Sequence, residues 1–230
     1  MRKILLMGTA REESSRVQYK MTRPFGDSTL FEIFLDKFER IASRNTPFSN
    51  VIMCINKNDR VLWNMTKGVQ NVRIQERNDF SAREATEPKD LFHYLENYSE
   101  DYVMWVNACF PLLSLQSIIN GANVFQNNDN IKSLHCVKKV SNWFWDPKTF
   151  KPITLDKVSD TTTQQSMPMY ESVHCYHIHK ISDLLEHNKL WSFKKNDPYL
   201  HMVPESVEYL DIDTQTEFEI AEAVWRNKHE

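Results

Sequence analysis

The chain has 230 residues and a formal net charge of −3, from 28 Lys and Arg against 31 Asp and Glu. This length suffices for one α/β domain with a sizeable core. The balanced charge, without a long basic run, excludes a dedicated nucleic-acid surface, so any phosphate-binding charge must be local.

The cysteines and the first residues bear on location. The four cysteines are far apart in apolar contexts, which is typical of reduced core residues in an intracellular protein. Residues 1–7 are too short an apolar stretch for a signal peptide or a membrane span. We therefore expect a cytoplasmic protein without membrane contact.

The first forty residues predict a strand, a polar loop and a helix. Residues 4–7 are apolar and bounded by Gly8, as in a central strand. Apolar residues at helical spacing then predict a helix with one buried face: Leu30, Phe34, Phe38 and Ile41. The loop between them is rich in cations and hydroxyls, namely Arg11, Ser14, Ser15, Arg16, Lys20 and Arg23.

A loop of this composition after a strand is where an open α/β sheet holds a phosphate chain. Arg11 would offer a bidentate fork and Lys20 a mobile point charge. Because Glu12 and Glu13 lie beside these cations, a solvated charged loop is the alternative.

Strands and helices alternate along most of the remaining chain, which implies βαβ units and a mainly parallel sheet. The predicted strands cover residues 50–55, 72–76, 102–106, 173–178 and 207–212. The predicted helices begin at Pro88, pass through Leu115, Ile118 and Ile119, and cover residues 182–187. The final helix opens with Thr214-Gln-Thr-Glu217, a capping box, and would bury Phe218, Ala221 and Trp225.

Residues 134–180 interrupt this alternation with a β-rich region. It contains predicted strands at 134–140 and 143–145 and a polar, aperiodic stretch at 156–165. Trp143, Phe144 and Trp145 are typical of core or subunit-interface residues. We predict a small β-rich insertion that mediates dimerisation within a single domain spanning residues 1–230.

Two acidic residues near the end of the chain form a candidate metal site. Asp211 and Asp213 are two residues apart in the predicted strand, so their carboxylates point to the same side. Converging carboxylates suit Mg²⁺, which also binds waters and substrate phosphates. The alternative is that Asp213 or Thr214 caps the following helix and Asp211 is solvated.

The segment His174-Cys-Tyr-His-Ile-His179 is a second place where metal ligands are close in sequence. Regular strand alternation would place Cys175, His177 and His179 on one face and His174 on the other. A closed zinc site would need a fourth ligand, so we interpret these as ordinary strand residues.

Taken together, the two ends of the chain resemble the acylneuraminate cytidylyltransferases and their relatives. That family opens with a strand, Pro-Ala-Arg-Gly-Gly-Ser-Lys and Lys-Asn, and ends with Ile-Asp-Ile-Asp-Thr followed by Asp-Phe and Ala-Glu. The matching segments here are Thr9-Ala10-Arg11-Glu12-Glu13-Ser14-Ser15 with Lys20-Met21, and Leu210-Asp211-Ile212-Asp213-Thr214 with Phe218 and Ala221-Glu222.

The resemblance implies a Rossmann-like α/β fold of the nucleotide-diphospho-sugar transferase type, with a mainly parallel sheet flanked by helices. It also implies a magnesium-dependent cytidylyltransferase, in which CTP is attacked by the anomeric hydroxyl of an acidic sugar and pyrophosphate is released, acting as a homodimer. The implied roles are nucleotide contacts by Ala10, Arg11, Ser14, Lys20, Arg77 and Asn107, and Mg²⁺ binding by Asp211 and Asp213.

Glu12 and Glu13 stand where the family has two glycines. They restrict the backbone and place negative charge near a polyphosphate. This departure supports an alternative, a catalytically degenerate paralogue that binds a nucleotide or a partner protein without turnover. A transferase using another base is a third interpretation.

Overall fold

A computed structural model describes residues 2–155, 161–203 and 205–229. Its centre is a seven-stranded sheet with the order β5-β4-β1-β6-β8-β7-β9, in which β8 alone runs against the others. The strands are β1 (Ile4–Thr9), the hairpin strands β2 (Pro24–Phe25) and β3 (Ser28–Thr29), β4 (Phe48–Asn56), β5 (Arg73–Arg77), β6 (Tyr102–Asn107), β7 (Leu134–Val140), β8 (Met169–Lys180) and β9 (Tyr199–Met202). The mainly parallel sheet predicted from the sequence is confirmed.

Helices cover both faces of the sheet. They are α1 (Leu30–Ala42), α2 (Arg60–Met65), α3 (Asp79–Arg83), α4 (Pro88–Leu91), α5 (Leu115–Gln126), α6 (Ile181–Leu185) and α7 (Gln215–His229). The larger core cluster contains the buried faces of α1, α5 and α7. A smaller cluster lies on the opposite face, where α6 packs with the short 3₁₀ helix His93–Asn97. Because helices flank both faces, residues 4–7 of β1 are a run of completely buried apolar residues.

The strand order creates a crevice at the carboxyl ends of the central strands β1 and β6. The chain runs from β1 outward to β4 and β5, then returns to the other side of β1 to form β6. Connections that leave neighbouring strands in opposite directions diverge at the carboxyl ends, which is where open α/β sheets bind ligands. The loop after β1 begins at this point.

Two of the predicted strands are wrong. Residues 207–212 include the 3₁₀ helix Ser206–Tyr209, because the buried Glu208 carboxylate turns toward α5 and accepts hydrogen bonds from Ser114 N and Ser117 Oγ, at 2.9 and 2.6 Å. Residues 143–145 form only an isolated bridge between Trp145 and Pro152. The single helix predicted from Pro88 is divided into α4 and the 3₁₀ helix His93–Asn97.

The β-rich region of the sequence analysis, residues 134–180, comprises β7, β8 and the connection between them. The part of the aperiodic stretch at 156–160 lies outside the described residues, and Thr163–Gln165 forms a short 3₁₀ helix. In the described part of the chain, no helix combines the length and the apolar character needed to cross a membrane.

Candidate active site

A cleft of about 460 Å³ lies at the carboxyl ends of β1 and β6. Its walls come from the loop after β1, the region around α3, the end of β6, the middle of β8 and the segment before α7. The structure brings together all eight residues that the sequence predicted for the site, since each lines this cleft: Ala10, Arg11, Ser14, Lys20, Arg77, Asn107, Asp211 and Asp213.

Lys20 joins the first loop to the segment before α7. Its side chain is 8% exposed, and Nζ donates a hydrogen bond to the carbonyl of Ile212 at 2.5 Å. The same Nζ lies 3.8 Å from Oδ1 of Asp213. The ammonium group is therefore held at the carbonyl of Ile212, the residue between Asp211 and Asp213 in the chain.

Asp211 and Asp213 both face the cleft, although the segment that carries them is extended coil rather than a strand. The backbone is held by hydrogen bonds from Ile212 N to the carbonyl of Cys109, at 3.0 Å, and from Asp213 N to Glu217 Oε2, at 2.9 Å. Both side chains therefore line one cleft, in a segment that is held by these anchors and not by strand alternation.

The two carboxylates have different surroundings. Oδ1 of Asp211 is buried and has no hydrogen-bond partner among the described residues. Burial and, to a smaller extent, the nearby Asp213 raise the pKa of the Asp211 carboxyl to about 6, while Lys20 opposes the shift. Both oxygens of Asp213 instead contact the guanidinium of Arg16, with Nη1 to Oδ2 and Nη2 to Oδ1 each at 2.7 Å.

Glu12 and Glu13, the residues that departed from the family pattern, have different surroundings: the Glu12 side chain reaches α2, whereas Glu13 lines the cleft and pairs with Arg83 of α3. Arg83 contacts Glu13 Oε2 at 2.8 Å and the buried Asp59 Oδ1 at 2.7 Å. Glu12 N donates to the other oxygen of Asp59 at 3.2 Å, and its carboxylate accepts from Val61 N at 3.4 Å. The pair with Arg83 offsets the charge of Glu13, and the contacts of both residues anchor the loop.

Two other predicted nucleotide contacts, Arg77 and Asn107, are partly engaged within the protein. Arg77 is buried and donates through Nη2 to the carbonyl of Ser81 at 2.5 Å. The side-chain oxygen of Asn107 accepts from Cys109 N at 3.0 Å, which fixes the amide at the end of β6. Arg11 is exposed at the rim of the cleft.

Aromatic and imidazole rings form a wall of the cleft that the sequence analysis did not predict. Trp105 packs against Phe92 and His177 with ring centroids 5.2 and 5.8 Å away, and its Nε1 donates to Thr9 Oγ1 at 3.0 Å. His177 is buried, and its Nδ1 lies 2.8 Å from Nδ1 of His135. Burial, followed by the neighbouring histidines, keeps the pKa of His177 well below its ordinary value, so the ring is neutral.

A bulge in β8 brings His174 onto this wall as well. His135 of β7 pairs with His177 of β8, and Val137 of β7 pairs with Ser172 of β8. Between these two pairs the chain advances by two residues on β7 and by five on β8, so the extra residues of β8 form the bulge. The face assignment made from regular alternation is therefore wrong: Cys175 packs in the larger core cluster, whereas His174 lines the cleft together with His177.

Arg16 and Arg83 are site residues to which the sequence analysis gave no role. Arg16 was one of several loop cations, and nothing in the sequence distinguished it from Arg23. In the structure Arg23 lies outside the cleft lining, where its guanidinium is 4.2 Å from the centroid of the Phe218 ring. The adjacent Glu12 and Glu13 were the one available signal that the loop required a cationic partner such as Arg83.

The acidic pair fits a hard divalent cation. Two carboxylates supply the oxygen ligands that Mg²⁺ prefers, and waters and substrate phosphates usually complete its coordination. Such an ion would give a partner to Oδ1 of Asp211, which has no hydrogen-bond partner among the described residues. Within residues 2–155, 161–203 and 205–229, no group of three or more His, Cys, Asp or Glu side chains is arranged to hold a metal by itself.

The fold and the cleft can be compared with known proteins. No protein-family model and no curated protein matches the sequence. Among solved structures, CMP:2-keto-3-deoxy-manno-octonic acid synthetase complexed with CTP matches with a TM-score of 0.66 and 9% identity, over 98% of this chain and 99% of that one.

Two further solved structures extend the comparison. The 4-diphosphocytidyl-2C-methyl-D-erythritol synthase of Anaerococcus prevotii matches with a TM-score of 0.66 and 16% identity, over 98% of this chain and 96% of that one. A cytidylyltransferase from Leptospira borgpetersenii matches with a TM-score of 0.58 and 14% identity, over 97% of this chain and 86% of that one. The chain therefore has the nucleotidyltransferase-type α/β fold found in cytidylyltransferases.

Proposed function

We propose that the protein is a magnesium-dependent cytidylyltransferase that transfers CMP from CTP to a hydroxyl of an acidic sugar, with release of pyrophosphate. The observation that carries the proposal is the meeting of Lys20 and Arg16 with Asp211 and Asp213 in one cleft at the carboxyl ends of the central strands. Cations for a polyphosphate and oxygen ligands for a metal are what this transfer requires.

The chain's own residues would act mainly by position and charge. Lys20 is held by the Ile212 carbonyl, so its ammonium needs little reorganisation to offset charge that develops on the phosphates. Asp211 and Asp213 would hold Mg²⁺, which would supply positive charge to neutralise the phosphates. Arg11 at the rim would contact the phosphates, and Asn107 and Arg77 would contact the nucleoside; all three line the cleft.

The acceptor would enter along the wall formed by Trp105, His174 and His177. This wall closes the end of the cleft formed by β6 and β8. An acidic sugar presents both a ring face, which packs on aromatic groups, and hydroxyls, which bond to imidazoles. We propose an α-keto acid sugar as the acceptor because the resemblance of both chain ends to the acylneuraminate enzymes points to that class.

A second candidate function is supported by the ion pairs of the loop. Both oxygens of Asp213 are bound by Arg16, and Glu13 stands at the cleft in an ion pair with Arg83. A catalytically degenerate paralogue that binds CTP or a partner protein without turnover would tolerate this arrangement.

Incubation of the purified protein with CTP, Mg²⁺ and a panel of α-keto sugar acids, with pyrophosphate release as the readout, separates these functions. We expect release with at least one acceptor and its loss in Asp213→Ala. The matched control is Glu219→Ala, an exposed acidic residue of α7 whose carboxylate accepts from Gln215 at 2.8 Å. CTP binding without pyrophosphate release would favour the paralogue, and absence of CTP binding would reject the enzyme.

We also propose that the protein is a cytoplasmic homodimer whose subunits meet through the β7–β8 connection. Large apolar side chains are exposed there, with Trp145 at 55% and Phe150 at 80%. Exposed aromatic groups at this density are typical of interaction surfaces rather than of free solvent-facing loops.

A further inference from the structure

Arg16 stands out because its partner is one of the proposed metal ligands. The two Nη atoms contact the two oxygens of Asp213 at 2.7 Å, which is the bidentate geometry that guanidinium groups also adopt on phosphates. The contact occupies both oxygens of Asp213, whereas Oδ1 of Asp211 has no hydrogen-bond partner among the described residues. A divalent cation and Arg16 would therefore compete for Asp213.

The loop permits Arg16 to change partner. Its backbone is anchored beside Val17, which is 2% exposed and whose N–H donates to Ser14 Oγ at 3.4 Å. Its side chain, in contrast, is 64% exposed and lines the cleft next to Lys20 and Arg11. A long cationic side chain on a fixed backbone can move between two anions without rearrangement of the loop.

We propose that Arg16 is a phosphate-binding residue that exchanges partners: it holds Asp213 in this structure and transfers to the phosphates of CTP when the nucleotide and a divalent cation bind. This inference rests on the proposed function. It adds to that function an account of how Asp213 is released from Arg16 to the metal.

The exchange predicts reciprocal coupling between the two ligands. CTP draws Arg16 away from Asp213 and thereby favours the cation, and the cation frees Arg16 for CTP by the same factor. Because the ion pair is partly exposed, we expect an effect of about fivefold, the lower end of the usual range for coupling between sites.

The test is to titrate Mn²⁺ alone, and CTP alone in EDTA, into the full chain by isothermal titration calorimetry. In Arg16→Met the competitor of the cation is removed, so we expect Mn²⁺ affinity to rise about fivefold while CTP affinity falls by a similar factor. The matched control is Arg23→Met. Arg23 is on the same loop and also contacts α7, where it donates to Gln215 at 2.9 Å, but it does not touch Asp213. Both affinities should stay unchanged in this variant.

Arg16→Lys separates the bidentate contact from net charge. It keeps the charge and loses the fork, so its Mn²⁺ affinity should lie between those of the wild type and Arg16→Met; identity with the wild type would overturn the exchange. A structural role alone would lower both affinities of Arg16→Met together, which would also overturn it. If the wild type binds CTP and Arg16→Met changes neither affinity, this inference fails and the proposed function stands. If the wild type does not bind CTP, both fail.

Discussion

Replacement of Arg83 by methionine tests whether the first loop is held by its ion pairs. Arg83 connects Glu13 in the loop with Asp59 before α2. The Asp59 side chain is 2% exposed, so removal of its cationic partner leaves a buried carboxylate, a change that typically costs about 3–5 kcal/mol. The Arg83 side chain is 26% exposed and Asp59 keeps the hydrogen bond from Glu12 N. We therefore expect a smaller loss, about 2–3 kcal/mol.

The assay is urea unfolding followed by tryptophan fluorescence, with thermal unfolding as a second measurement. For a chain of this length the expected loss lowers Tm by about 5–10 °C. Glu13→Gln is the matched control, because the Glu13 side chain is 77% exposed and its pair with Arg83 should contribute less than about 0.5 kcal/mol.

The double variant Asp59→Asn with Arg83→Met separates lost charge pairing from lost packing. Because asparagine is neutral, we expect the double variant to recover at least half of the stability that Arg83→Met loses. Equal losses in Arg83→Met and Glu13→Gln, or strictly additive losses in the double variant, would refute the conclusion that Arg83 stabilises the loop by pairing with a buried carboxylate.

Two further predictions concern acid stability and assembly. Burial lowers the pKa of His179 to about 4 from an ordinary 6.5, so the unfolded chain binds more protons than the folded chain between these pH values. The free energy of unfolding should therefore fall by about 3 kcal/mol as pH drops from 6.5 to 4. Urea unfolding across this range should show a shallower dependence of that free energy on pH for His179→Gln, and an equal dependence would contradict the assignment. If the β7–β8 connection forms the dimer interface, the double variant Trp145→Ser with Phe150→Ser should be a monomer in analytical ultracentrifugation. The control is Phe193→Ser, which changes an exposed residue outside that connection and should remain a dimer. An unchanged mass for the double variant would rule out this interface.

The main elements of the fold were predictable because their sequence patterns are local. Residues 4–7 and 102–106 are short apolar runs with a polar boundary, and both are central strands. The capping box of α7 is present, with Glu217 Oε2 accepting from Thr214 N at 2.7 Å. In each case the signal and the structure it specifies lie within one element.

The errors arose where a distant contact decides the local conformation. The sequence pattern predicted Glu208 as part of an alternating strand. Its carboxylate instead bonds to the start of α5, and the backbone around it forms a 3₁₀ helix. His174 and Cys175 exchange faces because of a bulge that depends on how β8 pairs with β7. No pattern within either segment contains this information.

The candidate site was only partly predictable for the same reason. Lys20 and Asp213 were predicted as separate halves, and the structure places them in one cleft. The roles of the individual residues stay predictions. Arg16 and Trp105 gain their place from tertiary contacts alone, which the sequence of a single chain does not reveal.

The contacts that complete the cleft join residues nearly two hundred positions apart in the chain. Arg16 meets Asp213, Lys20 meets Ile212, and Gly26 N donates to Glu222 on α7 at 2.9 Å. Closing so long a loop is entropically costly, and non-local contacts of this kind tend to form late in folding. During synthesis the sheet can begin to assemble before residues 206–229 emerge from the ribosome, but the cleft cannot be completed until they do. Ligand binding would then report that folding has finished.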